Sequence, residues 1–77
     1  MVYDYSKLLG RMKEFGYTQR ELAKVIGMNK ATLSAKLNNK FGFTMEEIDA
    51  ICEVLDISND EIGKYFFAKK VWKAKLK

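Results

Sequence analysis

The 77-residue sequence has no histidine, no proline and a single cysteine, Cys52. Each absence removes a class of function. Without histidine and with one thiol, a zinc site has almost no ligands. There is no cysteine–base pair and no phosphate-cradling glycine loop, and the adjacent acids Glu46 and Glu47 project from different parts of one helix. Catalysis, a cofactor, a metal and a small-molecule substrate are therefore not expected. One cysteine excludes an internal disulfide and fits a reducing compartment, with Cys52 read as a small core hydrophobe rather than a redox sensor. No linker, repeat or low-complexity tract marks a domain boundary. No apolar run approaches the ~20 residues of a membrane helix, and the N-terminus lacks a signal-peptide pattern. A soluble, cytoplasmic protein with no membrane partner is the expectation.

What is present is apolar bulk and an uneven charge. Hydrophobic residues make up 48% of the chain, enough for one core at a size where a single core only just suffices. Residues 1–43 carry a net +5, residues 44–63 a net −7, and residues 64–77 a net +6. A surface facing nucleic acid must lie in the first or third block, and the middle block must face away.

The most informative stretch is residues 18–37, TQRELAKVIGMNKATLSAKL. Thr18 and Glu21 form a capping box that opens a helix over 19–26. Leu22, Val25 and Ile26 recur at helical spacing, and Ala23 leaves a spot with almost no side chain. Gly27 can end the helix in a left-handed conformation. Met28 bridges the turn, and Asn29 caps a second helix over 30–38 with Leu33 and Leu37 as its apolar rungs. A small residue for close packing and a glycine for a short turn are the physical recipe of a helix-turn-helix.

Around this unit the pattern predicts three more helices. Tyr5, Leu8, Leu9, Met12 and Phe15 form the stripe of a first helix closed by Gly16, and Gly10 inside it suggests the close approach of a neighbour. Phe41 and Phe43 are expected to plug the loop after the second helix of the unit. Thr44–Glu47 is a capping box for a helix to Leu55, with Ile48, Ile51, Cys52 and Leu55 inward. A third box, Ser58–Glu61, opens a last helix with Ile62, Tyr65 and Phe66 inward.

The stretch resembles the DNA-binding unit of lambda-repressor/Cro-like (XRE-type) regulators, particularly their small prophage-encoded members. Gln19, Leu22, Ala23, Ile26, Gly27, Met28 and Leu33 carry the match, and the resemblance extends over residues 5–67. It implies an all-α, five-helix domain with the helix-turn-helix at helices 2 and 3, here residues 1–68, followed by a basic aromatic tail, residues 69–77. By the same match, Lys30, Ala31, Ser34 and Ala35 fall where the family reads base edges, and Gln19 where it braces the DNA backbone. Two positions depart from the pattern. Met12 and Leu37 stand where a buried arginine–glutamate pair is common, and Lys36 stands where many relatives carry an apolar residue.

The expected function is sequence-specific binding of double-stranded DNA as a phage-type transcriptional repressor. Backbone contacts are assigned to Gln19, Arg20, Asn29, Thr32, Lys36, Asn38, Asn39 and Lys40, because amides at helix N-termini, short polar side chains and lysines suit phosphate oxygens. For the bases, Lys30 can donate to guanine, Ala31 or Ala35 can touch a thymine methyl, and Ser34 can bond several edges. So small a module gains affinity by two-fold pairing, so a homodimer is expected on DNA. Its contact is assigned to Tyr65, Phe66, Phe67 and Trp72. The tail itself reads as a helix extension, a frayed basic end or a strand-like arm, since residues 72–77 alternate with period two. Two other classes stay open: an antitoxin or protein-interaction adaptor on the same fold, and a tail lying on an anionic membrane.

Overall fold

In the computed structural model, which describes residues 2–69, five helices follow one another. They are α1 (Ser6–Glu14), α2 (Gln19–Val25), α3 (Lys30–Leu37), α4 (Met45–Leu55) and α5 (Ile62–Phe66), the last preceded by a 3-10 turn at Asn59–Glu61. Among the described residues there is no strand, only an isolated antiparallel bridge between Tyr3 and Lys69. None of their helices is long and apolar enough to cross a membrane.

Local chemistry sets the helix starts. At α2 the Thr18 hydroxyl accepts from the Glu21 amide at 3.1 Å while the Glu21 carboxylate accepts from the Thr18 amide at 3.0 Å. Thr44 and Glu47 repeat the arrangement at α4, at 3.1 and 2.9 Å. The third expected box does not form. Ser58 caps no backbone amide, because the Glu61 amide is taken by the Ser58 carbonyl at 2.9 Å in the 3-10 turn. The two side chains meet each other instead, 3.4 Å apart.

The helix ends share one device. Gly16 and Gly27 lie at φ +77° and +76°, and the next residue's amide reaches back five positions, Tyr17 to the Met12 carbonyl at 2.9 Å and Met28 to Ala23 at 2.7 Å. This is the Schellman closure. Asn39 (φ 66°) ends α3 and Asp56 (φ 53°) ends α4 in the same left-handed region, with Lys40 bonded to Ala35 and Ile57 to Cys52, both at 2.9 Å. Asparagine and aspartate visit that conformation more readily than other residues that carry a side chain.

The buried interior combines Tyr5, Leu8 and Met12 of the N-terminal region, Leu22 and Ala23 of α2, and Leu33 and Leu37 of α3. The inward row of α4 (Ile48, Ile51, Cys52, Leu55) joins Ile57 and Phe66 to complete it. Several expected core positions are exposed instead: Leu9, Phe15, Val25 and Phe41. In α2, Leu22 and Ala23 define the inner side, so Val25 points about 100° away from it. Phe15 lies beyond the end of α1 and carries the Arg11 guanidinium 4.6 Å above its ring. Phe41 is 65% exposed, and Phe43 alone plugs the loop, edge-on to both Tyr5 and Phe66 at 5.5 Å. No neighbour approaches Gly10: a Cβ there would meet nothing within 4 Å.

Two joints tie segments that are distant in the sequence. Arg11 donates from Nε to the Leu55 carbonyl at 2.9 Å and from Nη2 to the Asp56 carbonyl at 2.8 Å, tying α1 to the open end of α4. Asn39 accepts from the Tyr3 amide at 2.8 Å and donates to its carbonyl at 3.0 Å. Tyr3 in turn stacks obliquely on Tyr5 and edge-on with Phe67, so an aromatic chain runs from the N-terminus through the loop to the end of α5.

Candidate nucleic-acid interface

The turn between α2 and α3 aims the second helix. Gly27 makes the reversal, Ala23 is buried at the contact, and Asn29 Oδ1 accepts from the Ala31 amide at 2.7 Å to start α3. Leu33, Lys36 and Leu37 face inward from α3. The remaining positions form its outer side: Lys30, Ala31 and Thr32 are exposed, and Ser34 and Ala35 are half-buried. The four residues assigned to base edges thus share the side of α3 turned away from the core.

The backbone group divides. Arg20, Asn29, Thr32, Asn38 and Lys40 are exposed, and Gln19, the first residue of α2, is half-buried. The Asn38 amide is engaged with the Ser34 carbonyl at 2.9 Å, which secures the end of α3. Two assignments need correction. Lys36 is only 8% exposed, and its ammonium lies 2.5 Å from Glu47 Oε1, so it cannot reach a phosphate. Asn39 spends both ends of its side-chain amide on Tyr3.

The proposed dimer residues also separate. Phe66 is 2% exposed, its ring packed edge-on against Phe43, so it belongs to the core and cannot serve a partner. Tyr65 is half-buried and Phe67 exposed, while Trp72 lies outside the described residues.

The electrostatics of the outer side follow from these placements. Arg20, Lys24, Lys30 and Lys40 are exposed, and the one acid between residues 18 and 43, Glu21, is held in its capping box. The acidic block does not all face away as expected. Glu46 and Glu47 line a hollow with Ile26, Gly27 and Met28 at the α2–α3 turn. Burial acts to raise the Glu47 pKa, but hydrogen bonds from Lys36 and Thr44 and the Lys36 charge outweigh it and hold the carboxyl below its usual range. Glu46, Asp49, Glu53 and Asp56 line an open groove along α4 together with Ile57 and Asn59. Among the described residues, no group of His, Cys, Asp and Glu side chains is arranged to hold a metal ion.

Sequence reasoning missed Arg11 and the Lys36–Glu47 pair. The partners of Arg11 lie 44 and 45 positions away and are main-chain carbonyls, which leave no trace in residue type. Lys36 did carry a signal, since it stands where the resemblance implies an apolar residue, but its partner Glu47 was read only as the capping-box acid of α4, a role it also keeps.

The comparisons with known proteins match this geometry to a phage protein. No curated protein matches the chain. The solution structure of the modulator of repression (MOR) of the temperate bacteriophage TP901-1 from Lactococcus lactis is similar at 42% identity, covering 94% of this chain and 97% of that one, with a TM-score of 0.76. A family model described as "Protein of unknown function (DUF739)" matches residues 1–69, and the chain belongs to that family.

Proposed function

We propose that this protein is a regulator of a phage repression switch and that it acts by binding double-stranded DNA. In this reading α2 and α3 form a lambda-repressor/Cro-like helix-turn-helix, and the outer side of α3 enters the major groove. The observation that carries it is the exposure of Lys30, Ala31 and Thr32 at the start of a capped, core-anchored helix beside exposed Arg20, Lys24 and Lys40. Lys30 donates to a guanine edge, Ala31 and Ala35 contact thymine methyl groups, and Ser34 bonds a neighbouring base. Arg20, Asn29, Thr32, Asn38 and Lys40, with Gln19 at the start of α2, grip the backbone. Two copies pair on a palindromic site, with Tyr65 and Phe67 available to their contact.

A second reading rests on the acidic groove of α4 and on the 42% identity to a modulator of repression. Here the protein grips another protein of the switch, such as a repressor, and contacts DNA weakly or not at all. A gel shift with genomic and random DNA at two salt concentrations separates the two. DNA binding predicts a sequence preference and a log–log salt slope of about −0.9 for each phosphate neutralised. Flat, weak binding to both DNAs sinks the first reading and leaves the second.

A further inference from the structure

Among the described residues, exposed apolar surface gathers at one place. The exposed side chains of Val2, Phe41, Met45 and Phe67 all belong to residues within two positions of the lining of one hollow. That hollow, about 150 Å3, is walled by Tyr3, Tyr5, Phe43, Ile48, Phe66 and Phe67. An apolar cavity of this size accepts a benzene ring. Its own rings meet edge to face, Phe43 with Tyr5 and with Phe66 at 5.5 Å and Tyr3 with Phe67 at 6.0 Å, so one more ring extends a geometry already built. Phe41 stands beside it. It is 65% exposed and lines a second hollow that shares Tyr3, Tyr5 and Gly42 with the first.

An exposed ring next to a ring-sized hollow is what a two-fold contact requires, because each copy then offers its partner both knob and socket. We infer that two copies of this chain pair through this face, the Phe41 ring of each entering the aromatic hollow of the other, with the axis near the shared wall at Gly42. A phenyl ring matches the socket in size, and pairing covers Phe41 and the exposed part of Phe67 together. The contact lies away from the base-reading positions. Helix α3 is 8 residues long, about 12 Å, with Lys30 at its start and Phe41 beyond its end. Charge opposes the pairing: each chain carries +4, Lys40 lines the second hollow, and exposed Lys69 bridges to Tyr3. Apolar burial therefore holds the pair against a repulsion that salt screens. The inference rests on the pairing part of the proposed function and stands without DNA.

Sedimentation of the full chain without DNA, from micromolar to millimolar concentration, tests this. A reversible dimer is expected, tightening as salt is raised, the reverse of the salt dependence of DNA binding. Phe41→Ser, at an exposed loop position, should weaken it about tenfold or more with helicity retained. Gly42→Leu should act alike by obstructing the hollow, and a Cβ there meets nothing within 4 Å, so the fold is left alone. Mixed together, the two variants should associate more tightly than either alone, since the knob of one still finds the open hollow of the other. Ile48 methyl signals should shift with concentration in the parent chain and stay still in Phe41→Ser. A chain that remains monomeric throughout, a dimer indifferent to Phe41→Ser, or variants that fail to complement on mixing overturns the inference. A monomer that still prefers cognate DNA sinks this contact and spares the DNA reading. A Phe41-dependent dimer that binds DNA weakly and without preference does the opposite.

Discussion

Lys36 and Glu47 meet at 2.5 Å across α3 and α4, and the oxygen that accepts the ammonium, Oε1, is the one that caps the Thr44 amide. One carboxylate therefore starts α4 and clamps α3 to it. Lys36→Met keeps the buried aliphatic stem but leaves Glu47, whose side chain is 25% exposed, to water and to Thr44. Each single change should cost about 1–2 kcal/mol, and a double-mutant cycle by denaturant unfolding should give a coupling of about 1 kcal/mol. Additive losses would mean the pair is a passive contact.

The same pair gives the fold an acid limit. The folded-state pKa of Glu47 lies below its unfolded value. Its contribution is whole above the ordinary glutamate value of about 4.3, declines as pH falls below that, and is gone once the lowered pKa is passed. Glu47→Gln should flatten this part of the stability–pH curve. An unchanged slope between wild type and variant would remove the clamp as its cause.

The glycines should respond oppositely to alanine. Gly10 is helical with open space about it, so Gly10→Ala should stabilise by about 1 kcal/mol. Gly27 sits at φ +76°, where an alanine costs about 1–2 kcal/mol. Thermal unfolding of both variants checks the pair of signs.

On DNA, three lysines should behave in three ways. Lys30→Ala should relax preference for the cognate site by about 1–3 kcal/mol. Lys40→Ala should weaken all sites alike and flatten the salt slope by about 0.9. Lys36→Met should leave the slope unchanged, because its ammonium belongs to Glu47. Equal effects of the Lys30 and Lys40 changes on cognate and random DNA would overturn the assignment.

Cys52 should be inert. It is buried, and burial first, then the nearby Asp49 charge, pushes its thiol pKa up. Reaction with a thiol reagent should be slow in the native chain and fast only on unfolding. Rapid native labelling would point to local opening of α4.

How much of this was legible beforehand divides along a physical line. Features set by a residue's own conformational preference or by partners three to five positions away could be read from the sequence. The capping boxes at Thr18 and Thr44, the left-handed closures at Gly16 and Gly27, the Asn29 cap and the inward row of α4 are of this kind. Periodicity failed at the margins. It could not separate Phe43 from Phe41, or Leu8 from Leu9, because neighbouring apolar residues are distinguished only by what packs across from them.

Everything requiring a partner far along the chain was decided by the tertiary structure. Arg11 found its carbonyls, Asn39 its Tyr3 backbone and Lys36 its carboxylate only once the helices were stacked. That changed the candidate surface: two polar residues left it for structural duty, and Phe66 left the proposed partner face for the core. The sequence by itself determined where α2, α3 and α4 start and which apolar rungs of α3 face inward, since those follow from local bonding and helical spacing. Which of its charges stay free to meet another molecule was settled by packing, because a charge is free only when no distant residue has been folded against it.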